Sequence, residues 1–340
     1  MQASLTSTFA IPPRTRAMLC LVMANSIWGT TFVVTKPILE RVPPITIAAG
    51  RFAIAAIVLL AILALTHQRP AFNRTTLAMA VLGVPVAYTC QNLGLWYTAA
   101  ANASILHGGI PVFTMLIAAW SLRERSSHLR MVGLILSLGG VVTIVLFGSG
   151  QVLGPSLLGD GLVLLSGLGI SAYLVLGRRA FARENPLRIV GGVAILGFLL
   201  LVPASVVEIG IRGVAQPHPG DLLGVAYLGI AASAVAFAGW AYGLRHFEAG
   251  QASTFANLSP LIGVIVAAVV LGESISVLQI GGGMLILGGV WLATRPLSQV
   301  VPPVEAGELT TTRRSLSTGS KSSMVCSSPG TKPALSSLRP

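Results

Sequence analysis

Residues 86–111 read VAYTCQNLGLWYTAAANASILHGGIP, and residues 235–260 read VAFAGWAYGLRHFEAGQASTFANLSP. At the same offset of 149 residues, the alignment continues without a gap through residues 86–143 and 235–292. About a third of the aligned positions are identical. Self-similarity at a fixed offset is the signature of an internal repeat. The chain is therefore predicted to contain two copies of one structural unit.

The composition of the chain places both copies in a lipid bilayer. Of its 340 residues, 54% are hydrophobic and only 9% are charged, and the mean hydropathy is +0.82. A soluble domain carries about 25% charged residues, and a soluble fold this apolar would expose a large apolar surface to water. The basic residues behind the net charge of +12 are then expected to lie in loops and to set the orientation of the chain in the membrane. Nucleic acid is excluded as a partner on the same ground.

The fold class predicted is an all-α polytopic membrane protein with ten transmembrane helices. A helix needs about 20 apolar residues to cross the hydrocarbon. Short breaks near residues 99–100 and 245–249 leave eight or nine spans as an alternative. The ten predicted spans are 17–36, 45–66, 76–98, 101–122, 129–148, 158–180, 187–209, 222–244, 250–271 and 276–294.

Each copy of the repeat holds five of these spans. Residues 17–148 form the first copy, and residues 158–294 form the second. Because five is odd, the second copy must enter the membrane from the face opposite to the first. The prediction is therefore two inverted five-helix repeats, which is the architecture of many secondary transporters.

The distribution of basic residues predicts the orientation. With ten spans, eighteen of the 22 Lys and Arg residues lie on the side of the termini, and three lie on the other side. This asymmetry places both termini in the cytoplasm. Residues 1–16 are then a short cytoplasmic segment. Residues 295–340, rich in Ser, Thr and Pro, are expected to be a disordered cytoplasmic tail.

Several short motifs occur in a characteristic order along residues 17–294. They are WGTTF at 28–32, Pro43-Pro44, Arg51-Phe52, 103–111 with Glu124, Ala252-Ser253, Pro260, Gly272-Glu273 and 281–289. In that order they resemble the EamA family of the drug/metabolite transporter superfamily. The resemblance implies ten helices, an inner-membrane location and transport of small metabolites, with efflux favoured over uptake. The sequence departs from the family at Ile170, where an aromatic residue is expected.

The predicted function is secondary transport by alternating access, because two similar halves can exchange conformations and expose a central site to each side in turn. A channel-like facilitator, or a membrane-embedded enzyme or scaffold, is the alternative. Nucleotide-binding and hydrolase motifs and metal-ligand spacings do not occur, so neither enzymatic activity nor a cofactor is expected. The expected partners are a small-molecule substrate and the lipid bilayer, and a homodimer is left open.

Polar and aromatic residues of the third span are the main candidates for a substrate site. Tyr88, Gln91, Asn92 and Trp96 recur at helical spacing, which places them on one face of an apolar helix. Trp240 and Asn257 are candidates to extend the lining in the second half. Polar side chains within a membrane also hydrogen-bond neighbouring helices together, so helix–helix contact is the alternative role.

Two prolines, a histidine and a tryptophan add to this set. Pro111 and Pro260 occupy equivalent positions, and each interrupts backbone hydrogen bonding where a cavity or a neighbour must compensate. A packing kink is the alternative. His107, one turn before Pro111, is a candidate for substrate or proton binding, or for a buried structural hydrogen bond. Trp28 is expected to line the pocket or to anchor its helix.

Arg51 is the one basic residue predicted to lie inside a span. It stands seven residues into the second span, about 10 Å deep at 1.5 Å per residue. Its side chain either reaches back to the membrane surface or pairs with an anion. An anionic or zwitterionic substrate is the hypothesis that rests on this residue.

Overall fold

The computed structural model describes residues 12–122, 128–147, 155–213, 215–247, 255–256 and 258–294. Regular secondary structure in these ranges is helical throughout. The predicted tail at 295–340 and most of the N-terminal segment at 1–16 lie outside the described residues.

Proline marks where many of the helices begin. Five helices have Pro as their first residue, where the missing N–H has no helical partner to lose and the fixed φ suits the helix. Three helices are irregular: α4 has two pieces, and α3 and α8 each contain a π-helical segment. The first half comprises α1 (Pro13–Ile38), α2 (Pro44–Leu65), α3 (Arg74–Tyr97), α4 (Ala100–His107 and Ile110–Leu122) and α5 (His128–Phe147). The second comprises α6 (Pro155–Arg183), α7 (Pro186–Arg212), α8 (Pro219–Gly243), α9 (Leu258–Leu271) and α10 (Val277–Thr294).

Seven of these helices are long and apolar enough to cross a membrane: α1, α2, α3, α4, α6, α7 and α8. The apolar portions of the other three are shorter: Met131–Ile144 in α5, Leu258–Leu271 in α9 and Val277–Leu292 in α10. Large apolar side chains cover the outer surface, including those of Leu65, Val269 and Val277. In lipid this surface needs no further partner, so the chain is a multi-pass membrane protein.

The helices of the two halves pack against one another in matched pairs. Helix α3 contacts α6, and α1 contacts α8; α4 contacts α6, and α1 contacts α9. When every helix is replaced by its equivalent in the opposite half, the α3–α6 contact becomes the α1–α8 contact, and the α4–α6 contact becomes the α1–α9 contact. The pairs α2–α7, α4–α9 and α5–α10 each join a helix to its own equivalent.

Glycines allow the backbones of α5 and α10 to approach closely. A Cβ atom on Gly140 would lie 2.5 Å from the carbonyl oxygen of Gly282, and one on Gly282 would lie 2.6 Å from Ile144. A Cβ atom on Gly289 would overlap the carbonyl oxygen of Gly133. The recurrence of glycine at seven-residue spacing in both helices thus serves close helix packing, as small residues do at membrane helix interfaces.

The π-helical segments occupy equivalent positions. They span Leu82–Val86 in α3 and Leu228–Val235 in α8, and the 149-residue offset places residues 82–86 on residues 231–235. Pro85 accounts for the first, since it removes a backbone donor from the helix. Single π turns within α-helices frequently lie at functional sites.

Substitution of the α5–α10 glycines is expected to loosen this pair. Gly140→Val places side-chain atoms against the backbone of α10, and overpacking of this kind costs about 1–3 kcal/mol. Gly139→Val is the matched control, because a Cβ atom on Gly139 meets nothing within 4 Å. Thermal unfolding of the purified protein in detergent should show a lower midpoint for Gly140→Val only. Equal midpoints for the two variants would contradict the packing described.

Candidate functional site

A cavity of about 120 Å³ lies among α1, α2, α3, α4, α6, α8 and α9. A cavity needs roughly 10–15 Å³ of such volume to hold one water molecule, so this one has room for several waters or a small solute. Eight residues proposed from the sequence lie in its wall: Trp28, Arg51, Tyr88, Gln91, His107, Pro111, Trp240 and Pro260.

The cavity wall is built from equivalent positions of the two halves. Tyr88 and Phe237 are 149 residues apart, and both line the cavity. A second offset of 142 residues relates the lining residues of α1 to those of α6. The pairs are Tyr88/Phe237, Gln91/Trp240, His107/Ala256, Ile110/Ser259 and Pro111/Pro260 at 149, and Trp28/Ile170, Thr31/Tyr173 and Phe32/Leu174 at 142.

Several lining residues were not proposed from the sequence. They include Ile170, Tyr173 and Leu174 of α6 and Phe237 of α8. The signal that would have found them is the repeat itself. Ile170 and Phe237 are the equivalents of the candidates Trp28 and Tyr88, and Tyr173 and Leu174 are the equivalents of two residues in the WGTTF motif at 28–32. Residue-type patterns alone miss them, since apolar side chains are unremarkable in membrane helices.

Arg51 lies in the interior, and it does not extend to the membrane surface. The residue is 2% exposed. Its Nε donates to Ser233 Oγ at 2.5 Å, and its Nη2 donates to the Tyr88 hydroxyl at 3.4 Å. The guanidinium carbon lies 4.3 Å from the centroid of the Tyr88 ring. The cation is thus held by neutral groups and by an aromatic face.

His107 combines a cavity position with a structural contact. Its Nε2 lies 3.3 Å from Ser166 Oγ on α6. Its ring packs edge-to-face against Phe32, with centroids 4.9 Å apart. The helix is interrupted just after this residue, at Gly108 and Gly109, and resumes at Ile110. Both roles considered for His107 therefore have a contact that supports them.

The two cavity tryptophans differ in their hydrogen bonding. Trp28 Nε1 donates to the Ala232 carbonyl at 2.9 Å, which fixes the indole between α1 and α8. The Trp28 ring lies 5.3 Å from Phe237 and 5.5 Å from Trp240. Trp240 Nε1 is buried and donates to no group in the described part of the chain. An unpaired buried donor costs about 1–3 kcal/mol, so this position is one where a ligand acceptor would be stabilising.

Asn92 and Trp96, proposed as lining, do not border the cavity. Asn92 Nδ2 donates to the Pro44 carbonyl at 3.0 Å and ties α3 to the start of α2, which is the helix-contact role. Trp96 is 39% exposed, and the Arg212 guanidinium lies 4.6 Å from its ring centroid. Eight residues beyond Tyr88 is about 12 Å along a helix, so Trp96 lies near the helix end. Pro260 is the third residue of the described α9, and Asn257 lies outside the described residues.

One end of the helix assembly carries a dense set of polar contacts, which we call the polar end cluster. The Thr98 hydroxyl donates to Asp160 at 2.6 Å, joining the end of α3 to the start of α6. Gln279 at the start of α10 donates to Asn102 at the start of α4. Its remaining members are Lys36, which donates to the carbonyls of Leu95 and Thr98, and Glu273, which accepts from the amides of Ala100 and Ala101.

Two more contacts at this end join the halves. Arg41 forms an ion pair with Asp221 at 2.7 Å, and Glu208 accepts from the amide of Thr46 at 2.8 Å. The Glu273 carboxylate caps the start of α4, where a negative charge is stabilising. Its sequence equivalent, Glu124, lies outside the described residues.

A family model described as the EamA-like transporter family matches residues 15–146 and again residues 157–295. The chain belongs to this family. The two matches coincide with the two halves of the repeat, so the resemblance inferred from short motifs is confirmed.

Named relatives agree with this membership, and a solved structure shares the fold. An uncharacterized transporter of Archaeoglobus fulgidus is 28% identical over 81% of this chain and 97% of its own. The uncharacterized inner membrane transporter YedA of Escherichia coli K12 is 26% identical over 82% of this chain and 92% of its own. A protein of known crystal structure shares the fold at a TM-score of 0.62 and 22% identity, over 82% of this chain and 98% of its own. This EamA-family protein is a membrane transporter.

Adjacent residues of α3 are expected to separate cavity lining from helix contact. Asn92→Ala removes the hydrogen bond to Pro44 and should lower the free energy of unfolding by about 1 kcal/mol. Gln91→Ala should change it by less than about 0.5 kcal/mol, because the Gln91 amide bonds no described group. Denaturant titration in detergent measures both values. A larger loss for Gln91→Ala than for Asn92→Ala would contradict the assignment.

Proposed function

We propose that this protein is a secondary transporter that moves small polar or amphipathic metabolites or drugs across the inner membrane by alternating access. Ten helices cross the membrane in this proposal, as two inverted five-helix repeats with both termini in the cytoplasm. Export is favoured over import on family analogy alone.

The observation that carries this proposal is the cavity wall, built from equivalent residues of both halves. In such a transporter each half adopts one of two conformations. A site between the two halves keeps the same bordering helices when the halves exchange these conformations. Exchange of the two conformations then opens the site to the opposite side, at comparable energy. An enzyme or a receptor has no need of this arrangement.

The polar contacts at the end of the helix assembly that carries the polar end cluster support the inverted arrangement. They bring together the C-terminal ends of α1, α3 and α7 and the segment after α9. At the same end of the assembly, these contacts also involve the N-termini of α2, α4, α6, α8 and α10. Odd-numbered helices that end where even-numbered helices begin are expected of a chain that crosses the membrane at every helix.

The nature of the lining supports a small solute as the substrate. Aromatic rings of Trp28, Tyr88, Tyr173, Phe237 and Trp240 line the cavity together with the hydrogen-bonding groups of Arg51, Gln91 and His107. Ligand pockets are mostly apolar, with a few placed polar groups.

The membrane orientation can be tested with topology reporters. An alkaline phosphatase fusion at Gly150 should be active, because the loop between the fifth and sixth spans lies outside the cytoplasm. The same fusion at the C-terminus should be inactive, and a fluorescent protein fused there should be bright. Reporters at Gly150 and at the C-terminus that indicate the same side would overturn the five-plus-five arrangement.

Counterflow in proteoliposomes tests the transport mechanism. Each metabolite of a panel is loaded unlabelled into liposomes, and the same metabolite is added outside in labelled form. For a transported metabolite, the label should accumulate transiently inside, and its initial uptake rate should saturate with external concentration. Ile170→Trp fills the cavity and should abolish counterflow, whereas Ile265→Trp, on the lipid-exposed side of α9, should not. Flux that rises linearly with concentration and shows no counterflow would identify a channel instead.

A further inference from the structure

The two sides of the cavity have similar backbones but different chemistry. Where the first half places Gln91 and His107, the second places Trp240 and Ala256. The 142-residue equivalent of Arg51 is Val193, which does not line the cavity. We call Arg51, Tyr88, Gln91 and His107 the polar wall, and Ile170, Leu174 and Phe237 the apolar wall.

The positive charge of Arg51 has no negative partner in the described part of the chain. No carboxylate oxygen there lies within 4.0 Å of its guanidinium. Its hydrogen bonds to described residues go to two hydroxyl groups, through Nε and Nη2, and Nη1 makes none with those residues. A buried cation without a counter-charge is costly in a membrane interior, and such residues mark binding sites.

The rest of the polar wall offers hydrogen bonds and no negative charge. The Gln91 amide lines the cavity and bonds no described group, so its N–H donors are available to a ligand. The described lining includes no Asp or Glu, so a cationic ligand would meet Arg51 without a compensating charge. A carboxylate would instead neutralise the guanidinium and accept two parallel hydrogen bonds from it, the bidentate geometry that carboxylates and Arg adopt.

We propose that the cavity binds small organic anions, with a carboxylate on the Nη1 side of Arg51 and an apolar body against the apolar wall. This inference rests on the proposed function, because it names the substrate class of the same cavity. Gln91 donates to the carboxylate as a second contact. Phe237 and Leu174 supply the surface that selects an apolar body over a hydrated one.

Three ligands that share a phenylpropyl body and differ in the head group test the proposal. They are 3-phenylpropionate, 3-phenylpropan-1-ol and 3-phenylpropylamine, and their affinities for the full-length protein in detergent are measured by titration calorimetry. The carboxylate should bind at least about tenfold tighter than the alcohol, the difference expected for a charge-assisted hydrogen bond. The amine should bind more weakly than either.

Arg51→Gln should remove the preference for the carboxylate over the alcohol and leave the affinity for the alcohol within about twofold. Arg212→Gln is the matched control, since Arg212 also lies over an aromatic ring but outside the cavity. It should leave both affinities unchanged. A purely structural role of Arg51 would lower both affinities together and keep their ratio, which would overturn the proposal.

A second variant keeps the test open if Arg51→Gln does not fold. Arg51→Lys keeps the charge and loses the paired geometry, so the carboxylate preference should fall several-fold without vanishing. An Arg51→Lys protein with the wild-type ratio would overturn the proposal.

Counterflow of the same three ligands separates this inference from the proposed function. Saturable exchange of the alcohol or the amine, without the carboxylate, would overturn the anion assignment and leave the transporter assignment standing. Arg51-dependent binding of the carboxylate without exchange would support the anion site and overturn transport. Failure of all three ligands to bind would overturn the anion assignment.

Discussion

Helices within a bilayer gain nothing by burying leucine against leucine, because lipid tails are equally apolar. What holds this protein together is therefore the close approach of helix backbones, and glycine is what permits it. The crossing of α5 and α10 at Gly140, Gly282 and Gly289 and the crossing of α3 and α6 at Gly94 and Gly159 follow this pattern. Helices α3 and α6 of the second crossing enclose the cavity together with α1, α2, α4, α8 and α9.

The same constraint governs where polar groups lie. In hydrocarbon each polar group must find an internal partner, and most of those described here do, either in the polar end cluster or in contacts such as Asn92 with Pro44. The exceptions are informative. In the described part of the chain, the hydroxyls of Ser104 and Ser137 and one carboxylate oxygen of Asp160 are buried and unpaired away from the cavity. Arg51 has no negative partner there and Trp240 Nε1 has no acceptor, and these two residues border the cavity. Unsatisfied groups at that position are available to a ligand.

Sequence reasoning located the spans to within a few residues wherever an apolar run ended at proline or at charge, as at Pro44 and Arg74. It also selected eight residues of the cavity wall. It also grouped Asn92 and Trp96 with that wall, and neither borders the cavity. Helical spacing identifies a face of a helix and says nothing of depth or of the neighbouring helix. The paired π-helical segments were not foreseen, since only one of them contains proline. Apolar lining residues such as Phe237 carry no signal of their own.

By itself, the sequence determined the membrane environment, the internal repeat and the family, because hydropathy, offset and motif order are properties of the chain read in one dimension. Only the tertiary structure decided which side chains meet. It placed Arg51 in the interior among neutral groups, turned Asn92 toward Pro44 and faced the two chemically different halves across one cavity. These outcomes depend on rotation and depth of each helix relative to its neighbours, which are set by packing between residues more than a hundred positions apart.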